Sequence, residues 1–280
     1  MTVQDRSFRL KAEGRRGVLL IHGLTGAPDE MKFLARRLHR QGFDVMVPQL
    51  AGHGADMATL LRSTWRDWLD SVVAAYDAYA REVDEIFVAG VCVGGALGLE
   101  LAAQRPEIAA AVVYSMTFEY DGWNMKGWMK GAYLIQAIAN LPLVRRISFA
   151  EPYPFGLKDE RLRERVARAP EAFIEGSLDR LPFGALFQMY RLGRRLEHDA
   201  SAIDIPCLIM HAREDDMSDP RNAWRLKRAL GPKAEVRLFE DSYHMLHVDK
   251  ERALVADETA AFFLRHAASA PAFAAEPVHA

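Results

Sequence analysis

The segment from Ile86 to Gln104 constrains this chain more than any other. A short apolar run, Ile86–Ala89, passes without a linker into Gly90-Val91-Cys92-Val93-Gly94-Gly95. A helix-forming stretch, Val93–Gln104, follows and ends before Pro106. A buried strand that turns at once into a helix has few allowed paths. Side chains two residues either side of Cys92 would collide with the neighbouring strand or helix, and glycine removes them. Such a turn lifts residue 92 clear at the carboxyl end of a sheet, where open α/β folds keep their sites. The pattern is G-x-nucleophile-x-G, with cysteine in the nucleophile position.

The rest of the chain repeats the strand-then-helix rhythm. Gly17–Ile21, Phe43–Pro48, Ile108–Ser115, Ile205–Met210 and Ala234–Phe239 read as strands. Ala27–Gln41, Thr64–Arg81 and Lys250–His266 read as helices. Alternation of this kind predicts an α/β fold with a mostly parallel sheet. The rhythm stops between Thr117 and Ser201, in a stretch rich in aromatic, Met, Arg and Pro residues and without a clear strand. The expected organisation is a core made of residues 1–116 and 202–267, a helical cap over 117–201, and a disordered tail over 268–280.

Bulk properties exclude several classes. The chain has 280 residues, a net charge of −2 and only two cysteines, Cys92 and Cys207. Nothing favours nucleic acid or an anionic surface, and a disulfide framework is not expected. The N-terminal segment is polar, and no apolar run reaches the ~18 residues of a membrane span. A cytoplasmic protein without metal or cofactor is the expectation. Cys207 lies inside the run Ile-Pro-Cys-Leu-Ile-Met and reads as core.

A cysteine nucleophile needs a base, and the base needs an orienting acid. After the strand ending near His211 come Glu214, Asp215, Asp216 and Asp219. His244 follows the strand Ala234–Phe239 by a few residues. The expected triad is Cys92, Asp215 and His244. Asp216, Asp219 and Glu214 compete for the acid, and His247 for the base. Asp219 before Pro220 also suits a helix N-cap. His22 and His53 read as loop-structuring residues. Oxyanion donors are expected from the backbone N–H groups of Val93 and of Leu24 in the loop His22–Gly26.

With these pieces in order, the chain resembles the bacterial carboxylesterase and monoacylglycerol lipase branch of the α/β-hydrolases. The matching segments are LLIHGLTGAPDEM, VPQLAGHG, TWRDWLDSV, VAGVCVGG, HAREDDMSDP and DSYHMLH. The resemblance implies that Asp215 is the catalytic acid, His244 its partner, and Leu24 an oxyanion-binding residue. Two departures stand out. Those esterases carry Ser where this chain has Cys92, and the insertion exceeds the short cap of the simple carboxylesterases. Cysteine at the elbow is similar to dienelactone hydrolases and polyhydroxyalkanoate synthases.

The chemistry of sulfur then shapes the functional expectation. In a tetrahedral intermediate a thiolate leaves more readily than an alkoxide, so plain esters tend to revert unless His244 protonates the leaving oxygen. Thioesters, activated esters and lactones suit cysteine better. The leading expectation is an acyl hydrolase working through acyl-Cys92 on an apolar acyl thioester, activated ester or lactone, with a medium to long acyl or aromatic chain as the natural substrate class. An acyltransferase or cyclase with the same triad is the alternative, and a non-catalytic binding protein on this fold the third reading. Trp123, Trp128, Phe183 and Phe187 are expected to roof an apolar pocket over Cys92.

Overall fold

A computed structural model describes residues 4–127, 141–169 and 174–268 of the chain. In chain order the elements begin with β1 (Phe8–Leu10), β2 (Arg16–Ile21), a 3-10 turn (Pro28–Met31), α1 (Lys32–Arg40) and β3 (Asp44–Val47). Then follow α2 (Met57–Arg62), α3 (Trp65–Tyr79), β4 (Glu85–Val91), α4 (Val93–Gln104) and β5 (Ala111–Tyr114). Next are α5 (Pro142–Arg146), β6 (Ser148–Ala150), α6 (Glu160–Arg168), β7 (Arg180–Pro182) and α7 (Phe183–Asp199). The chain closes with β8 (Cys207–Ala212), α8 (Arg221–Leu230), β9 (Ala234–Phe239) and α9 (Arg252–His266).

Seven strands form one sheet in the order β1-β3-β2-β4-β5-β8-β9. Only the edge pair β1–β3 is antiparallel; every other pairing is parallel. This is the α/β-hydrolase fold. The central strands are buried along nearly their whole length, as in a sheet covered by helices on both faces. Phe263 of α9 stacks on Phe87 of β4 with ring centroids 4.7 Å apart, and Phe43 packs edge-on against both. Helix α3 starts where the sequence supplies a reciprocal cap: the Thr64 hydroxyl accepts from the Asp67 N–H, and the Asp67 carboxylate accepts from the Thr64 N–H.

Strands β5 and β8 pair directly, from Ala111 opposite Cys207 to Tyr114 opposite Met210. The chain between them therefore leaves the sheet and returns beside its point of exit without adding a strand to it. Helix α7 packs back onto α3 and α4. The expectation of an excursion without strands is corrected: β6 and β7 form a small antiparallel ribbon, with Phe149 opposite Leu181. Each strand is three residues long, too short to show an alternating pattern, and Arg180–Pro182 ends in proline. The helix read over Ala27–Gln41 begins as the 3-10 turn Pro28–Met31 and becomes α-helical only at Lys32. The expected tail begins at residue 268, and residues 269–280 of it lie outside the described residues. No described helix is long and apolar enough to cross a membrane.

Candidate active site

Strand β4 delivers Cys92 to the N-terminus of α4 with φ +50° and ψ −112°, a strained backbone for a residue with a side chain. The glycines at either side are required by contact. A Cβ on Gly90 would lie 2.3 Å from the carbonyl carbon of Gly94, and one on Gly94 would lie 2.3 Å from the carbonyl oxygen of Ile21. The Cys92 N–H is fixed on the Tyr114 carbonyl at 2.9 Å. Strain at residue 92 is thus held by the sheet on one side and the helix on the other.

The loop after β8 holds Asp215 fully buried. Its Oδ1 accepts the N–H groups of Met217 and Ser218 at 2.9 and 2.8 Å, and its Oδ2 lies 2.9 Å from Nδ1 of His244. A second imidazole, His211 at the end of β8, brings Nε2 to 3.2 Å from the same Oδ2 while contacting the Ser218 carbonyl at 2.8 Å. Burial alone would raise the Asp215 carboxyl, but the charge of His244 and the hydrogen bonds from both imidazoles hold it well below the usual range. Burial alone would lower His244. Asp215 overrules it and, with the neighbouring Cys92 thiol adding to the effect, keeps the imidazole well above its ordinary value. Asp215 is bonded to His244, and Cys92 stands close enough to act on that ring.

The competing residues occupy other posts. Asp216 accepts backbone N–H groups from Gly156 at 3.1 Å and from His244 at 3.4 Å. Burial and the Asp215 charge push its carboxyl up to about 6. Asp219 accepts the N–H of Arg221 at the start of α8, and Glu214 pairs with Lys158 at the surface. His247 brings Nε2 to 3.1 Å from Oε1 of Glu30, away from the acid. His22 donates to the Gly23 carbonyl and accepts the Leu50 N–H, so it shapes the loop that carries Leu24. His53 contacts the Ala51 carbonyl, and burial lowers it to about 3. Cys207 is buried in β8, where burial pushes its thiol up to about 12.

Several further groups gather around Cys92 and His244 without any local signal in the sequence. Buried Tyr120 stands close to Cys92, and burial followed by the Cys92 charge raises its hydroxyl well above the ordinary value. Ser115, with φ +48°, donates its hydroxyl to the His244 carbonyl at 2.6 Å. Asp249 accepts the N–H groups of Tyr243, Lys158 and Asp159, at 2.8, 2.7 and 2.9 Å. Asp216 and Asp249 together lace residues 156–159 to the loop that bears His244. Nearby, the Leu178 N–H donates to the Thr25 carbonyl at 2.9 Å and joins the excursion to the loop His22–Gly26.

A cavity of about 180 Å3 opens beside Leu24, in the loop after β2, and Met245, next to His244; Cys92 and His244 themselves are not among its lining residues. Phe155, Val166, Ile174 and Leu178 supply apolar walls, and Glu30, Glu151 and Asp179 carboxylates. Of the expected roof over Cys92, one residue is corrected. Trp123 is 56% exposed, with its indole N–H on the Glu214 carbonyl and its ring against Tyr243. Phe183 and Phe187 are buried on α7 with ring centroids 5.9 Å apart, and neither lines this cavity. Trp128 lies outside the described residues. Among the described residues no group of His, Cys, Asp or Glu could hold a metal.

Comparison with known proteins adds the family. The family described as serine aminopeptidase, S33 matches residues 12–251. The chain belongs to this hydrolase family. It is 28% identical to the thermostable monoacylglycerol lipase of Bacillus sp. (strain H-257) over 255 residues, 91% of this chain and 92% of that one. It is 24% identical to the carboxylesterase of Bacillus subtilis (strain 168) over 257 residues, 90% of this chain and 94% of that one. The crystal structure of Paleococcus ferrophilus monoacylglycerol lipase shares the fold, with a TM-score of 0.78 at 18% identity over 94% of this chain and all of that one. The family description names a serine, and this member carries Cys92 at the elbow.

Proposed function

We propose that the chain is an acyl hydrolase of ester and thioester bonds that works through an acyl-Cys92 intermediate. The observation that carries the reading is His244 bonded to buried Asp215 with the Cys92 thiol beside the same imidazole, and Cys92 at the N-terminus of α4. The named relatives, a monoacylglycerol lipase and a carboxylesterase, support the ester-cleaving class. The sulfur adds to the carbonyl carbon, and the C=O electron pair moves onto oxygen. The N–H groups of Leu24 and Val93 receive that oxyanion. The intermediate then collapses, the C–O or C–S bond breaks, and His244 gives its proton to the leaving group. Water, losing a proton to His244, attacks the acyl thioester and releases the acid with Cys92 restored.

A depressed Asp215 and a raised His244 suit this cycle. The acid stays ionised while the base carries the proton that the leaving group needs. The segment 117–201 acts as a cap, and the apolar walls contributed by Phe155, Val166, Ile174 and Leu178 select a compact apolar acyl or alcohol portion. A panel of acyl-CoA thioesters and activated esters, read by intact mass, tests the reading. The expected result is a transient mass increase equal to the acyl group, located on Cys92. Turnover with no such adduct, together with an active Cys92→Ala protein, would refute it.

Acyl transfer is the second reading, and one observation favours it. Cys92 is only 4% exposed, so the acyl thioester forms where water is scarce. Adding an alcohol or amine to the same panel distinguishes the two. Transfer predicts ester or amide at the expense of free acid, and hydrolysis predicts no change in product.

A further inference from the structure

The Glu30 carboxylate, buried to 6% exposure, stands between two loops that come from opposite ends of the chain. One oxygen, Oε2, accepts the Gly23 N–H at 3.3 Å, at the start of the loop that presents the Leu24 N–H. The other, Oε1, lies 3.1 Å from Nε2 of His247, three residues after His244. The loop is shaped to this carboxylate: a Cβ on Gly26 would sit 2.0 Å from Oε2. Thr25 between them holds φ +63°, so the loop is strained and needs support. Burial alone would push the Glu30 carboxyl up, but His247, His22 and the Gly23 N–H overcome it and hold it low.

We propose that Glu30 is a positioning residue for the oxyanion hole: it holds Gly23, and through it the Leu24 N–H, in register with the loop that bears His244, with His247 as its second anchor. The inference rests on the proposed acyl-Cys92 chemistry. Donors matter only where the carbonyl oxygen becomes an oxyanion, and a small displacement there is costly. Alkylation of the Cys92 thiol by iodoacetamide forms no oxyanion. Addition of the Cys92 sulfur to a trifluoromethyl ketone does, because the C=O pair moves onto oxygen as the C–S bond forms. The two probes therefore separate loss of the donor from loss of the nucleophile.

The test compares the wild type with Glu30→Gln and His247→Gln, each checked for a cooperative melt. For Glu30→Gln the expected result is a fall in kcat on the order of tenfold or more, little change in KM, and an equal fall in ketone affinity. The iodoacetamide rate stays near that of the wild type. His247→Gln moves kcat and ketone affinity in the same direction by a smaller factor, and it serves as the deciding variant if Glu30→Gln does not fold. Unchanged ketone affinity in a folded variant would overturn the proposal, as would alkylation and kcat falling together. A wild type that turns over without any labelling at Cys92 is a different failure, that of the nucleophile reading.

Discussion

Asp215 holds His244 at 2.9 Å through Oδ2, and that same oxygen is also 3.2 Å from the ring of His211. Two imidazoles on one buried carboxylate leave it little freedom to turn. For Asp215→Asn the expected outcome is a fall in kcat of about 10³–10⁴-fold, because an amide can present its N–H to Nδ1 and favour the wrong tautomer. Asp216→Asn should cost far less in kcat, since Asp216 holds backbone N–H groups of Gly156 and His244 rather than the imidazole. Steady-state rates on an activated ester check both. Equal losses would mean that the acid has been misassigned.

Cys92→Ala is expected to abolish turnover and covalent labelling while the protein still folds, since losing one buried sulfur costs only about 1–2 kcal/mol. Cys92→Ser keeps a nucleophile but a poorer leaving group, so it should lose most activity on a thioester and gain relative preference for the matched oxyester. A purely structural cysteine would behave otherwise. Its alanine variant would lose the same stability to a cavity and keep its rate per folded molecule.

Glu100 lies in α4 beneath the elbow, buried, with Oε1 lacking a partner among the described residues. Burial and then the charge of Asp199 raise its carboxyl from 4.5 to about 7, against the opposing charge of Arg195. A folded value above the unfolded one means that the folded chain binds the extra proton. Stability is therefore present at low pH and declines as pH rises from about 4.5 to about 7. Glu100→Gln should remove that slope, worth about 1–3 kcal/mol between the two ends. Urea midpoints across this pH range decide it; parallel curves for the two proteins would contradict the assignment.

Asp249→Ala removes the acceptor of three backbone N–H groups, those of Tyr243, Lys158 and Asp159. Unsatisfied buried donors are expensive, so a loss of about 3 kcal/mol is expected. Because the same residue ties 158–159 to the His244 loop, kcat should fall as well. Limited proteolysis should find new cleavage near residue 158, and an unchanged digestion pattern would argue against this tie.

The elbow was legible because it is local. Gly90, Cys92 and Gly94 lie within five residues, and the crowding that demands glycine acts over that distance. Strands β2, β4 and β9 were visible as apolar or strand-forming runs. Strand β1, only three residues long, was not, since its place depends on antiparallel pairing with β3 far along the chain. Tyr120, Ser115 and Glu30 escaped for the same reason: each reaches the site through folding, and no spacing rule connects them to residue 92 or 244. Trp123 was misread because an aromatic residue signals burial without direction, and there the ring stays mostly in solvent.

The direct pairing of β5 with β8 has a consequence for how such a protein can change. The excursion begins and ends at neighbouring positions in the sheet, so its length and shape can vary with little closure penalty and no shift of strand register. Cys92, Asp215 and His244 follow strands of the sheet, while Phe155, Val166, Ile174 and Leu178, which line the cavity beside Leu24, belong to the excursion. Grafting a different segment between Tyr114 and Cys207 would retune which molecules are accepted without redesigning the catalyst.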